Sequence, residues 1–76
     1  MDTMIYEIGS VTMAQQGKAA LHRAGLASYI SRQYTENGRI SYGCGHNLVL
    51  PGDPDTIVRI LANAGVRVRG IRPTNP

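Results

Sequence analysis

Two stretches of the chain end in the same way. "LHRAGL" runs from Leu21 to Leu26 and "LANAGV" from Leu61 to Val66, an offset of 61 − 21 = 40. Each reads Leu-x-x-Ala-Gly followed by an aliphatic residue. Glycine at that place ends a helix, because it adopts the left-handed conformation that costs other residues energy. Each stop leads into a run that reads as a strand. Two halves built alike predict the order β-α-β-β-α-β.

The remaining residues fit that frame. "MIYEIGS" carries Ile5 and Ile8 and reads as a first strand. In "SVTMAQQGKAALHRAGL", Thr12 and Gln15 have capping-box spacing, and Ala14, Gly17, Leu21 and Ala24 share one helical face. Small residues on that face predict a helix lying close to a sheet. "LASYISRQY" reads as a strand with Leu26, Ser28 and Ile30 on one side. Asn37-Gly38 predicts a hairpin turn, since both residues tolerate positive φ, and "RISYGCGHNLVLPG" is the returning strand. In "GDPDTIVRILANAGV", Asp53 is the N-cap, Pro54 the first helical residue, and Asp55 suits the positive end of the helix dipole. Ile57, Ile60, Leu61 and Ala64 form its apolar stripe. "VRVRGIRP" alternates Val66 and Val68 against Arg67 and Arg69, a strand with one wet face.

The expectation is an α+β, ferredoxin-like βαββαβ domain over residues 1–76, with an ordered core of about 4–72 and a short C-terminal tail. Right-handed crossovers place both helices on one face of a four-stranded antiparallel sheet. A chain of 76 residues buries only roughly 60% of its unfolded surface, so any chemistry belongs on a loop or edge, or is completed by a partner. Phe and Trp are absent, so Ile, Leu, Val, Ala, Met and Tyr must build the core. A charged fraction of 17% is too low for a disordered tail. A lone cysteine forms no intrachain disulfide. No apolar run approaches spanning length, and "MDTMIYEIGS" lacks signal-peptide features. These features predict a cytoplasmic protein without a membrane partner.

That single cysteine, Cys44, stands in "ISYGCGHN" between Gly43 and Gly45, with His46 two residues on. One reading is a reactive thiol. The glycines leave the sulfur unshielded and free the backbone to turn its N–H groups toward an anion. In an extended segment His46 shares a face with Cys44, and an imidazolium there favours the reactive thiolate. The other reading is a small core residue, since free cysteine is among the most buried types. Spacing alone leaves both standing. Cys44, His46 and the distant His22 fall short of a four-ligand zinc site, so no metal is expected. Neither is a dinucleotide, because the glycine fingerprint is incomplete and does not open a helix.

The net charge of +3 is mildly basic. Arg67, Arg69 and Arg72, joined by Arg59 or Arg39, suggest docking of an anion, nucleic acid or an acidic partner, or else a solvated face that resists edge pairing. RNA modules of this topology stack bases on exposed aromatics. Tyr6 and Tyr42 are the candidates here, without the accompanying basic-aromatic signature, so nucleic acid is disfavoured.

Three segments resemble the Se/S carrier protein-like family, small bacterial domains of no assigned function. They are "SVTMAQQGKAALHRAGL", "ISYGCGHNLVL" and "ILANAGVRVRGI", which together span most of Met4 to Ile71. Ser41-x-x-Cys44-Gly45 is the most specific part. The resemblance implies a carrier or accessory protein, rather than a stand-alone enzyme, that holds sulfur or selenium on Cys44. Ser41 and Gly45 would shape the loop, and no cofactor would be needed. Donor and acceptor proteins would be the partners, and a homodimer is a further option. The alternative is a non-catalytic binding or regulatory module in which Cys44 is structural.

Overall fold

A computed structural model of the chain describes the backbone of residues 3–36 and 39–74, and the side chains of 3–31 and 46–74. The elements are β1 (Thr3–Gly9), α1 (Val11–Arg23), β2 (Tyr29–Glu36), β3 (Arg39–Pro51), α2 (Pro54–Asn63) and β4 (Gly70–Pro73). They form one four-stranded sheet in the order β2-β3-β1-β4, antiparallel throughout, in a ferredoxin-like arrangement. Among the described residues, no helix is long and apolar enough to cross a membrane. The expected Asn37-Gly38 turn lies outside the described residues.

The repeated Leu-x-x-Ala-Gly is a repeated helix ending. Gly25 and Gly65 have φ of +85° and +79°. In both halves the aliphatic residue after the glycine donates its N–H back to the leucine: Leu26 to the Leu21 carbonyl and Val66 to the Leu61 carbonyl, each at 2.8 Å. Gly25 and Gly65 donate to His22 and Ala62, each at 3.0 Å. This crossed pair of bonds is the Schellman motif, which satisfies carbonyls that a helix end leaves bare.

The other ends are capped by side chains. Asp53 caps α2 as the sequence predicts, its carboxylate accepting from the Thr56 N–H at 3.3 Å and the Thr56 hydroxyl at 2.8 Å. For α1 the capping box is corrected. Ser10 is the N-cap, accepting from the Met13 N–H at 3.4 Å, and Thr12 already lies inside the helix. The left-handed turn at Gly9, φ +102°, delivers Ser10 in the extended conformation from which a helix starts.

The core lies between the sheet and both helices. Tyr6 and Ile8 of β1 and Leu48 and Leu50 of β3 meet Ala14 and Leu21 of α1 and Ile57 and Leu61 of α2, with Val66 below. Gly17 is where the layers come closest: a methyl group there would stand 2.8 Å from Leu61 Cδ2 and 2.9 Å from Leu48 Cδ1. The Gln16 side-chain amide also ties α1 to the Ala64 carbonyl at the end of α2. Ala24, expected on the buried face, is instead the exposed C-cap, and Ala20 is buried.

The last strand is shorter than the valine–arginine alternation suggests. Val66 and Val68 do turn inward and Arg67 and Arg69 outward, but β4 starts only at Gly70. The Val66 N–H is already held by α2, and pairing with β1 opens with the Arg69 N–H donating to the Glu7 carbonyl at 2.7 Å.

Candidate functional site: the slip in β3

The segment holding Cys44 is where the sheet loses register. Ser31 of β2 faces Asn47 of β3, whereas Gln33 faces Tyr42. One residue of β2, Arg32, therefore spans the interval that takes four residues of β3, Gly43 to His46. The ladder with β1 is irregular at the same level, but there the extra residue, Ile8, belongs to β1: Glu7 faces Asn47 and Gly9 faces His46. Extra residues of this kind interrupt ladder pairing, bend the strand and re-aim its side chains. Gly43 and Gly45 suit such a place, since backbone without Cβ takes conformations closed to other residues.

The expectation that Cys44 and His46 share a face needs a regularly extended strand, and β3 is not regular there. His46 itself is half-buried. The side chains of Arg39, Ser41 and Cys44 lie outside the described set, as do the surroundings of Gly43 and Gly45.

Across from His46 the residues are described, and they include one cation, Arg69, with the Glu7–Arg72 ion pair two residues further along β1. Gly9 carries no side chain, and the Arg69 guanidinium fills the space, with Nη1 3.1 Å from where a Cβ on Gly9 would sit. Directly after Gly9 comes the N-terminus of α1, whose first turn holds no acidic residue. A helix N-terminus contributes a partial positive charge and orphan N–H groups. Sequence reasoning nominated Arg69 but passed over Gly9 and Ser10, because only the register of β1 against β3 brings them opposite His46.

No family model matches this chain, and no curated protein or solved structure matches it.

The other nominated residues divide. Arg67 is exposed. Arg72 does not extend a stripe with Arg67 and Arg69, because its Nε lies 3.0 Å from Glu7 Oε1 in an ion pair over Gly70. Tyr6 is not a stacking platform for RNA. It is fully buried, its hydroxyl has no hydrogen-bond partner among the described residues, and burial, followed by the Asp53 charge, raises its pKa above the ordinary 10.0. Tyr42 lies outside the described side chains.

Proposed function

We propose that this protein is a cytoplasmic carrier holding sulfur or selenium on Cys44, passing it between a donor and an acceptor protein. The observation that carries this reading is the slip of β3 against β2 at Gly43–His46. It interrupts the ladder in the segment that holds the one cysteine of the chain, and the end of that segment, His46, pairs with Gly9, which the Arg69 guanidinium covers and the acid-free start of α1 follows. A guanidinium and a helix N-terminus, brought to a thiol, favour its thiolate and the anion of a persulfide. The likeness of Ser41-x-x-Cys44-Gly45 to the Se/S carrier protein-like motif points the same way.

The transfer is an exchange. Cys44 Sγ, as thiolate, attacks the terminal sulfur of a donor persulfide and forms a new S–S bond. The donor's S–S bond breaks, and its thiolate leaves with the electron pair. Delivery to the acceptor repeats the step in reverse roles, so no external oxidant is required. Selenium follows the same path through a selenosulfide.

Intact-mass analysis tests this after incubation with a cysteine desulfurase and either cysteine or selenocysteine, which load the enzyme's own thiol as the persulfide or selenosulfide donor, beside a Cys44→Ser control. One labile sulfur or selenium on the parent and none on the control is the expected outcome. An unmodified parent, or an equally modified control, refutes the reading. In the same preparation, Arg69→Gln is expected to slow alkylation of Cys44 near neutral pH.

A further inference from the structure

A second feature, independent of Cys44, is the outer strand β2. The sheet has two edges, β4 and β2. β4 is four residues long and contains Arg72 and Pro73, which makes it a poor template for another strand. β2 is eight residues long and has no proline, and among the described residues no strand lies on its outer side.

A second copy of the same strand fits this edge, and the residues of β2 select the register. Two copies related by a two-fold axis pair their strands antiparallel and use the same residues twice. Facing residues in such a ladder form either a hydrogen-bonded or a non-hydrogen-bonded pair, and the two kinds alternate along each strand. The numbers of two facing residues therefore add to an even sum, and one residue sits on the axis. With Ser31 or Tyr34 there, only five residues of each strand pair. With Arg32 there, Arg32 faces Arg32, and like charges directly opposite are destabilising. With Gln33 there, residues 30–36 all pair and no like charges are opposed: Arg32 faces Tyr34, Ser31 faces Thr35, and Ile30 faces Glu36.

That last pair brings opposite charges together. Directly facing residues share one face of a sheet. Ile30 belongs to the helix side, where it packs against the core and lines a groove of about 430 Å³ with Gln15, Lys18 and His22 of α1. No acidic residue occurs between Glu7 and Glu36, so α1 offers Lys18 no carboxylate of its own. Glu36 of the second copy supplies one at the mouth of this groove, and symmetry repeats the contact at the other end of the interface. The two residues do not meet within one copy, because Glu36 stands six residues beyond Ile30 along the strand, about 20 Å away. Charge complementarity of this kind holds a register and disfavours others.

We infer that two copies of this chain join their β2 edges, with Gln33 on the two-fold axis, into one continuous eight-stranded sheet. Sedimentation equilibrium of the full chain from micromolar to millimolar concentration is expected to show a reversible dimer that weakens as salt rises. Lys18→Glu and Glu36→Lys each set like charges together at both ends of the interface, and each is expected to weaken the dimer about tenfold. Mixed in equal amounts, the two variants should regain the parent's affinity, because both contacts of the mixed dimer again join opposite charges. In a Cys44→Ser background, Gln33→Cys should form a disulfide-linked dimer under mild oxidation, since directly facing Cβ atoms stand about 5 Å apart, and Glu36→Cys should not. The inference is overturned by a monomer at millimolar concentration, by single variants that dimerise like the parent, by a mixture no tighter than either variant alone, or by Glu36→Cys cross-linking as readily as Gln33→Cys.

Discussion

Gly17→Ala sets two well-measured effects against each other. In an isolated helix, alanine for glycine gains about 1 kcal/mol, because glycine gives up more backbone freedom and leaves the helix less favoured. In this protein the new methyl group would stand 2.8 Å from Leu61 Cδ2, 2.9 Å from Leu48 Cδ1 and 3.5 Å from Val66 Cγ1. Leu48 and Leu61 are fully buried and belong to the same packed cluster, so neither can swing into water to make room. Overpacking of a filled core costs about 1–3 kcal/mol. The packing term wins, leaving a net loss of about 1 kcal/mol, which lowers Tm by roughly 4–8 °C for a domain of this size. Thermal and urea unfolding followed by circular dichroism measure it. Leu61→Val should recover part of the loss when combined with Gly17→Ala, because it removes a methylene at the point of contact. A Tm that rises in Gly17→Ala, or a strictly additive double variant, would refute the close approach of α1 to Leu48 and Leu61.

Tyr6→Phe removes a buried hydroxyl that has no partner among the described residues, and is expected to stabilise the fold by about 1 kcal/mol. Because the folded state holds the Tyr6 proton above the ordinary 10.0, the parent keeps its full stability below that pH and loses it as pH rises toward the folded pKa, by at most about 1.4 kcal/mol per pH unit; urea unfolding of Tyr6→Phe across this range should show a shallower decline, and parallel curves would count against the burial. Asp53→Ala removes the α2 cap bonds to Thr56 and is expected to cost about 1 kcal/mol by the same assay, while Asp53→Asn should cost less. Glu7→Gln breaks the pair with Arg72, whose side chains are 30% and 40% exposed, and should cost under about 1 kcal/mol with little left to lose in high salt.

The fold was legible because its signals are local. Gly25 and Gly65 specify helix ends through their own φ angles, Asp53 and Pro54 specify a helix start, and the apolar spacing of Ile57 and Leu61 specifies the buried face. None of these needs knowledge of another element. The errors are also local. Thr12 with Gln15 mimics a capping box, but the turn at Gly9 makes Ser10 the cap two residues earlier. The valine–arginine alternation looks like a strand from Val66, but the helix ending takes the Val66 N–H first. Tyr6 looked available for stacking because its strand position does not reveal which face the helices cover, and it is the face that buries the residue.

The site is less legible, because its geometry belongs to three strands at once. Tyr42 and Asn47 are an odd number of residues apart, yet their partners, Gln33 and Ser31, are an even number apart. Period-two alternation therefore breaks between them, and the two-residue spacing of Cys44 and His46 no longer implies a common face. The glycines acquire a different meaning as well. Gly43 and Gly45 fit an interval where β3 spends four residues against one of β2, so their presence is accounted for by register before any chemistry is invoked. Flanking glycines are thus no independent argument for a reactive thiol. What remains to support one is the company that the slip keeps: the Arg69 guanidinium against Gly9, and the acid-free start of α1 beside it. Neither is adjacent to Cys44 in sequence, and both come opposite His46 only through the pairing of β1 with β3.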